Sequence, residues 1–512
     1  MSYGRTGRAS GGAWVARSLG VRGSLLAVFL VATLLPGHAS GARRYGPGDT
    51  GVVNLSNTPD MAEAEQPMSV NPRNPMQIVV VSNTWQHTWP GPASDLPGGN
   101  GIMDTTIYTS RDGGRTWKGW RMDQGGLGRV RDPLPSALGV APEFDDALNV
   151  NTTDADAAWD RHGNAYFESG DVHGVYHGGD EVATVWRSSD GLKTWGRGVA
   201  AVRVSQERME LDRPWFAVDN SGGRRDGTVY MTFETTPFVE VPPQVYVKAS
   251  HDHGATWGPT HRVDHGLYTT QFNPRARPVV DAGGVLSVVY DEAPATVTPF
   301  VASSDPIRLV LARSTDGGAT FLSSTVDADV HRVTSPDEAL SSYTEMISAI
   351  AADPTHPGRL AVAWPQATNA ASSRIVMRYT TNGGRTWSPR IDVPDDPATR
   401  AVQHDHVALT WTQDGRLVAL WRDRRCCGGA WDDRYQQWAR IFTPAGTTLR
   451  GGRTIEMTEG PQQNTTGHHS LLMPDEFDGI GSSGGYLMAS WSQLTGTYTD
   501  VVFRRVPLTA FD

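Results

Sequence analysis

Cysteine is almost absent from this chain. Its 512 residues include two, Cys426 and Cys427, and these are adjacent. A disulfide framework is excluded, so the fold must stand on its core. Excess positive charge is also missing: 45 Lys and Arg stand against 55 Asp and Glu, a formal net charge of −10. That is not the basic footprint of a nucleic-acid binder, and no such partner is expected. One apolar run occurs, Ser24 to Leu35, and it is short for a bilayer span. Arg5, Arg8, Arg17 and Arg22 precede it, and Pro36-Gly37-His38-Ala39-Ser40-Gly41 follow it. A basic stretch, an apolar stretch and small residues in that order form a secretory signal. Residues 1–41 are therefore read as a signal peptide and 42–512 as a single secreted domain, with no membrane span once the signal is removed. No long amphipathic helix is evident.

What is abundant is turn and stacking material: 56 Gly, 33 Pro and 17 Trp. One octapeptide recurs. It runs Ser110-Arg-Asp112-Gly-Gly-Arg-Thr-Trp117, and returns at Ser188 with Asp190, at Ser250 with Asp252, at Ser314 with Asp316 and at Thr380 with Asn382. Ser and Asp side chains bond to nearby backbone amides and close a turn, while Gly takes the positive φ the turn needs. The closing aromatic then leaves the turn for the core. The copies start 62 to 78 residues apart, the length of one four-stranded sheet. A chain this long escapes the limit on a single core by repeating a unit that packs on its neighbours.

Before each octapeptide stand two strands joined by a turn, the second ending in an aromatic. Asp212 to Asp219 followed by Gly227 to Phe233 is the clearest pair. Alternation and β-branched enrichment mark further pairs up to Gly485–Trp491. Seven such units are counted; six would result if the first or last were an elaborated edge. The last unit has three strands and then ends. The orphan strand Gly51 to Leu55 is expected to complete it, because an open edge invites aggregation. The fold class is thus all-β, a β-propeller of four-stranded antiparallel blades.

At these octapeptides the chain resembles the sialidase-like superfamily, the Asp-box or bacterial neuraminidase repeat propellers, over about residues 50–512. The resemblance implies a secreted glycoside hydrolase of exo-sialidase type acting on extracellular glycans. It also implies that the boxes are structural and that the opposite face is active. The Phe/Tyr-Arg-Ile-Pro motif of sialidases is missing; Asn71-Pro72-Arg73-Asn74-Pro75 stands in its place. A non-catalytic propeller that binds glycan or protein is the alternative.

Residues just before the first strand and just after the second strand of each unit should collect on the face opposite the boxes. By the resemblance, Asp156 or Asp212 would supply the acid, and Tyr343 with Glu345 the nucleophile pair. Arg213, Arg275 and Arg424, with Asp405 and Arg422 nearby, would hold the substrate, since guanidinium forks grip carboxylates bidentately. Cys426-Cys427 could close a vicinal disulfide, an apolar plate on which a sugar could stack. His404-Asp405-His406 offers imidazoles, but no metal or other cofactor is expected. The chain is expected to be monomeric.

Overall fold

The computed structural model describes residues 46–57, 61–86, 102–121, 152–171, 180–205, 210–236, 243–265, 274–293, 305–331, 347–369, 372–397, 402–427, 434–463, 477–495 and 499–512. The expected signal segment lies outside them. Among these residues the helical element is a single 3-10 turn, Leu508–Phe511, and no helix is long and apolar enough to cross a membrane. Everything else regular is strand.

The strands form seven sheets, each antiparallel and four strands deep, so the propeller has seven blades. Blade 3 shows the plan: Glu210–Val218, Val229–Thr236, Gln244–Ser250 and His261–Arg262 pair in chain order from the axis outward. We call these positions A to D. In blades 1 and 6 a fifth short strand joins the sheet. Blade 7 takes its A, B and C strands from Gly479–Ser483, Tyr486–Leu494 and Thr499–Pro507, and its D strand from Val53–Asn54. Val53 pairs with Phe503, so the two ends of the chain latch the ring as the orphan strand foretold.

In blades 2, 4, 5, 6 and 7 an aromatic within the B strand is a main core residue. Phe167, Tyr290, Trp364, Trp421 and Trp491 are all fully buried. Trp421 packs with Ala361, Ile375 and Tyr379 of the preceding blade, and Trp491 with Val418, Leu420 and Ala439 of its own predecessor. Burying one such ring removes roughly 150–250 Å² from water, about 4–6 kcal/mol at ~25 cal/mol per Å². Each blade therefore stabilises the next.

The octapeptides are the C–D turns, and with the A–B turns they make up one face, here the lower. In the third copy the Ser250 hydroxyl donates to Asp252 Oδ1 at 2.8 Å, and Gly254 N–H donates to Ser250 Oγ at 2.8 Å. Asp252 then accepts from the Thr256 amide at 2.8 Å and the Thr256 hydroxyl at 2.5 Å. The turn also grips its neighbour. A Cβ on Gly114 (φ +84°) would lie 2.1 Å from the Phe503 ring of blade 7, and one on Gly384 (φ +80°) 2.6 Å from Leu311 of blade 4. The boxes are thus inter-blade hooks, and their carboxylates are used up inside the turn. The segment Asn71 to Pro75 is also an A–B turn of this lower face, with Arg73 N–H donating to Asn71 Oδ1 at 2.9 Å. It therefore lies away from the opposite face.

Candidate functional site

The opposite, upper face is built by the first residues of the A strands and the last residues of the B strands. Here five blades repeat a strained feature. Glu65, Asp154, Arg213, Arg275 and His406 all have positive φ, between 46° and 55°. Each non-glycine residue in this region costs of order 1–3 kcal/mol, which the surrounding structure must supply. In blades 2, 3 and 6 the strand register shifts at that point, between Thr153 and Asp156, Asp212 and Trp215, and Asp405 and Ala408. These are bulges, and a bulge re-aims the side chains that follow it.

Two residues beyond the strained position, Asp156, Trp215 and Arg277 turn toward the axis. With Ser348, Val407 and Phe477 they line a cavity of about 160 Å³ to which all seven A strands contribute. The Arg277 guanidinium lies 3.4 Å from the centre of the Trp215 ring and 4.7 Å from that of Phe477. The two rings meet edge to face at 4.7 Å. The Trp215 indole N–H and the Ser348 hydroxyl are buried in this wall without a hydrogen-bond partner, so both can serve a guest or a water.

Asp156 accepts hydrogen bonds from the Phe216 and Ala157 amides, each at 2.8 Å. Burial still pushes its pKa up to about 6, against those amides and the charge of Arg277. Across the A–B pairing stands Glu168, fully buried, with no side-chain donor at either oxygen. Burial, then the charges of Asp156 and Asp154, raise it well above the usual range. In blade 3 burial lifts Glu234 to about 8, with the Arg213 charge opposing. Glu234 Oε1 accepts from the Ala276 amide of blade 4, and Oε2 is buried without a partner. Burial thus shifts Glu168 and Glu234 toward the protonated form near neutral pH, and Asp156 toward it in mildly acidic solution, as a general acid requires.

The expected arginine pocket is not assembled among the described residues. Arg213 donates to Asp212 at 3.0 Å. Arg424 is closed on Asp405, which also accepts from His406 Nδ1 at 2.7 Å. Burial alone would raise Asp405, but the Arg424 and His406 charges hold it far below the usual range. Arg422 is fully buried, bonded through Nε to Asp478 at 3.0 Å, and lies 4.6 Å from the Tyr435 ring centre. Arg275 is buried and, like Arg213, does not line the cavity. Arg277, two residues on, does. Tyr343 and Glu345 lie outside the described residues. Cys426 and Cys427 are joined by a disulfide, Cα to Cα 3.7 Å, with Cys426 exposed and Cys427 buried. Sequence reasoning missed Arg277, Trp215 and Phe477 as site residues, and Asp478 as the Arg422 partner. The positive φ at Arg275 and at Arg213, two residues before the first two, has no glycine to announce it.

No family model matches the sequence, and no curated protein matches it. Solved structures are similar in fold. A protein of unknown function from Dyadobacter fermentans is 13% identical, with 90% of this chain and 100% of that chain covered, at a TM-score of 0.46. The NanB sialidase from Streptococcus pneumoniae is 9% identical, with 91% and 98% covered, at a TM-score of 0.45. A Hadza microbial sialidase is 12% identical, with 91% and 97% covered, at a TM-score of 0.43.

Proposed function

We propose that this chain is a secreted, monomeric glycoside hydrolase of the sialidase-like, Asp-box kind, acting on extracellular glycans at the axial cavity of its upper face. One observation carries the reading: a half-buried acid, Asp156, with its pKa raised to about 6, stands in a cavity beside a guanidinium stacked on aromatic rings. A glycosidase needs a carboxyl group that stays protonated until it gives its proton to the leaving oxygen. It also needs flat apolar surface and polar donors for a sugar, which Trp215, Phe477 and Ser348 provide. Arg277 is the cation of this cavity and the candidate partner for an acidic sugar.

A second reading has its own support. Asp212, Asp405 and Asp478 each satisfy an arginine that a carboxylate-binding pocket would use. That favours a propeller that binds glycan without cleaving it. The test is a panel of fluorogenic glycosides, α-sialosides included, given to the purified mature chain beside Asp156→Asn. Turnover lost in the variant supports the hydrolase. No turnover on any substrate, with glycan-array binding that Trp215→Ala abolishes, supports the binding module.

A further inference from the structure

We infer that Asp396, His404 and Asp423 form a binding site for a divalent metal ion of the zinc class at the junction of blades 5 and 6. The three residues come from separate segments. Asp396 follows the D strand of blade 5, Ile391–Asp392; His404 opens the A strand of blade 6, His404–Trp411; and Asp423 ends its B strand, Leu417–Asp423. All three are buried, and one ligand atom from each lies within 4.8 Å of the others. His404 Nε2 is 3.2 Å from Asp423 Oδ2 and 3.4 Å from Asp396 Oδ1.

The second observation is the state of the imidazole. His404 Nδ1 lies 2.6 Å from the Ser373 carbonyl, so it carries the hydrogen and donates it there. The ring is thereby fixed with Nε2 directed to the carboxylates, the arrangement by which a backbone carbonyl orients a metal-bound histidine. Yet Nε2 is fully buried and neither nearby oxygen is placed to accept a hydrogen bond from it; Asp396 Oδ2 is likewise buried without a partner. Two bare, buried ligand atoms in one cluster leave room for a shared occupant.

Asp395, Asp396 and Asp423 face Arg425, Arg374 reaches Asp396, and the Arg440 charge also bears on Asp395. Asp423 Oδ2 accepts from Arg425 Nη2 at 2.6 Å, Arg425 Nε at 2.7 Å and Trp421 Nε1 at 3.2 Å, and Asp423 Oδ1 from the Arg425 amide at 2.7 Å. The rival occupant of the cluster is a proton. A metal's ligand atoms must be deprotonated to bind it, so uptake should strengthen as pH rises. The site ties the blade 5–6 connection to the end of a B strand. It makes no demand on the hydrolase reading and can be tested apart from it.

The experiment uses the mature chain made without a histidine tag. It is dialysed against Zn²⁺ at pH 8.5, freed of loose metal by gel filtration, and analysed by plasma mass spectrometry beside Asp396→Asn. About one equivalent of zinc in the wild type is expected, with at least tenfold weaker uptake in the variant and a thermal midpoint that EDTA lowers. Less than about a tenth of an equivalent in the wild type, with a midpoint indifferent to zinc and EDTA, overturns the site and leaves the proton in place. Full zinc retention in folded Asp396→Asn overturns it too. Should that variant not fold, Co²⁺ loaded into the wild type decides: visible d–d bands of a four- or five-coordinate ion are expected, and a bare hexaaqua spectrum refutes the assignment.

Discussion

Asp252 and Asp156 are the same residue at opposite ends of the propeller. Asp252, on the lower face, is nearly exposed; the Thr256 hydroxyl, against slight desolvation, and then the Thr256 amide hold its carboxyl at about 2. Asp156 lies under the upper face, where burial outweighs two amides and a nearby guanidinium and lifts it to about 6. The pattern extends beyond this pair. Asp190 sits at about 2 among its turn donors, while Glu234 is pushed to about 8 by burial. Donors that point at a carboxylate favour its charge, and loss of water disfavours it. The lower face therefore spends its acids on holding blades together. The upper face holds Asp156, Glu168 and Glu234 with their acidity weakened by burial, at a cost in stability, beside strained backbone and an axial cavity. Cost without structural return is what a functional surface looks like in a fold that is otherwise locally consistent.

The comparison can be broken in several ways. The largest effect should come from Asp156→Asn, which nearly keeps the shape and removes the acid: we expect kcat/KM on a cleaved glycoside to fall about 10²–10⁴-fold, at a stability cost of about 1–3 kcal/mol because the Phe216 or the Ala157 amide loses its acceptor. Next is the lower face. Gly114→Ala forces a Cβ into the Phe503 ring at a left-handed position and should cost about 2–4 kcal/mol in chemical denaturation. It should leave the turnover of the folded fraction intact. A third variant sharpens the contrast through pH. The Glu234 pKa is raised on folding, so the proton it holds adds stability below its unfolded value of about 4.3. That stability is lost as pH rises toward about 8. Glu234→Gln should therefore gain on the wild type as thermal midpoints are compared from pH 5 to pH 8.5. The smallest effect belongs to Asp316→Ala, which removes the turn acceptor of Ala319, Thr320 and Ser314 and should cost about 1 kcal/mol at pH 7. Because the Asp316 pKa is depressed on folding, that loss should shrink as pH falls below about 4.

The same two faces divide what could be read from the chain. The lower face was legible because its chemistry is local. Ser250, Asp252, Gly254 and Thr256 bond to one another within seven residues, so the octapeptide announces both its turn and, by its spacing, the blade. The latch was legible too, since the last unit lacked a strand and Val53–Asn54 had no other sheet. The upper face is assembled from residues far apart in sequence. Asp478 meets Arg422 from the next blade, and Asp396 meets His404 across a connection. Nothing in either segment signals the other. The axis itself was misread at the bulges. Regular alternation places Arg213 and Arg275 at the front, but both have a positive φ, in blade 3 the register shifts there, and Trp215 and Arg277 line the cavity instead. A one-residue slip is enough to change which side chains face a site.

The central claim is that structure and chemistry are divided between the faces, and one paired measurement tests it most directly. Wild type, Asp156→Asn and Gly114→Ala are assayed for glycoside turnover on the panel's best substrate, with folded fraction measured on the same samples. The account predicts that Asp156→Asn loses turnover while staying folded, and that Gly114→Ala loses stability while each folded molecule still turns over. Equal turnover in Asp156→Asn, or lost turnover in fully folded Gly114→Ala, would contradict it.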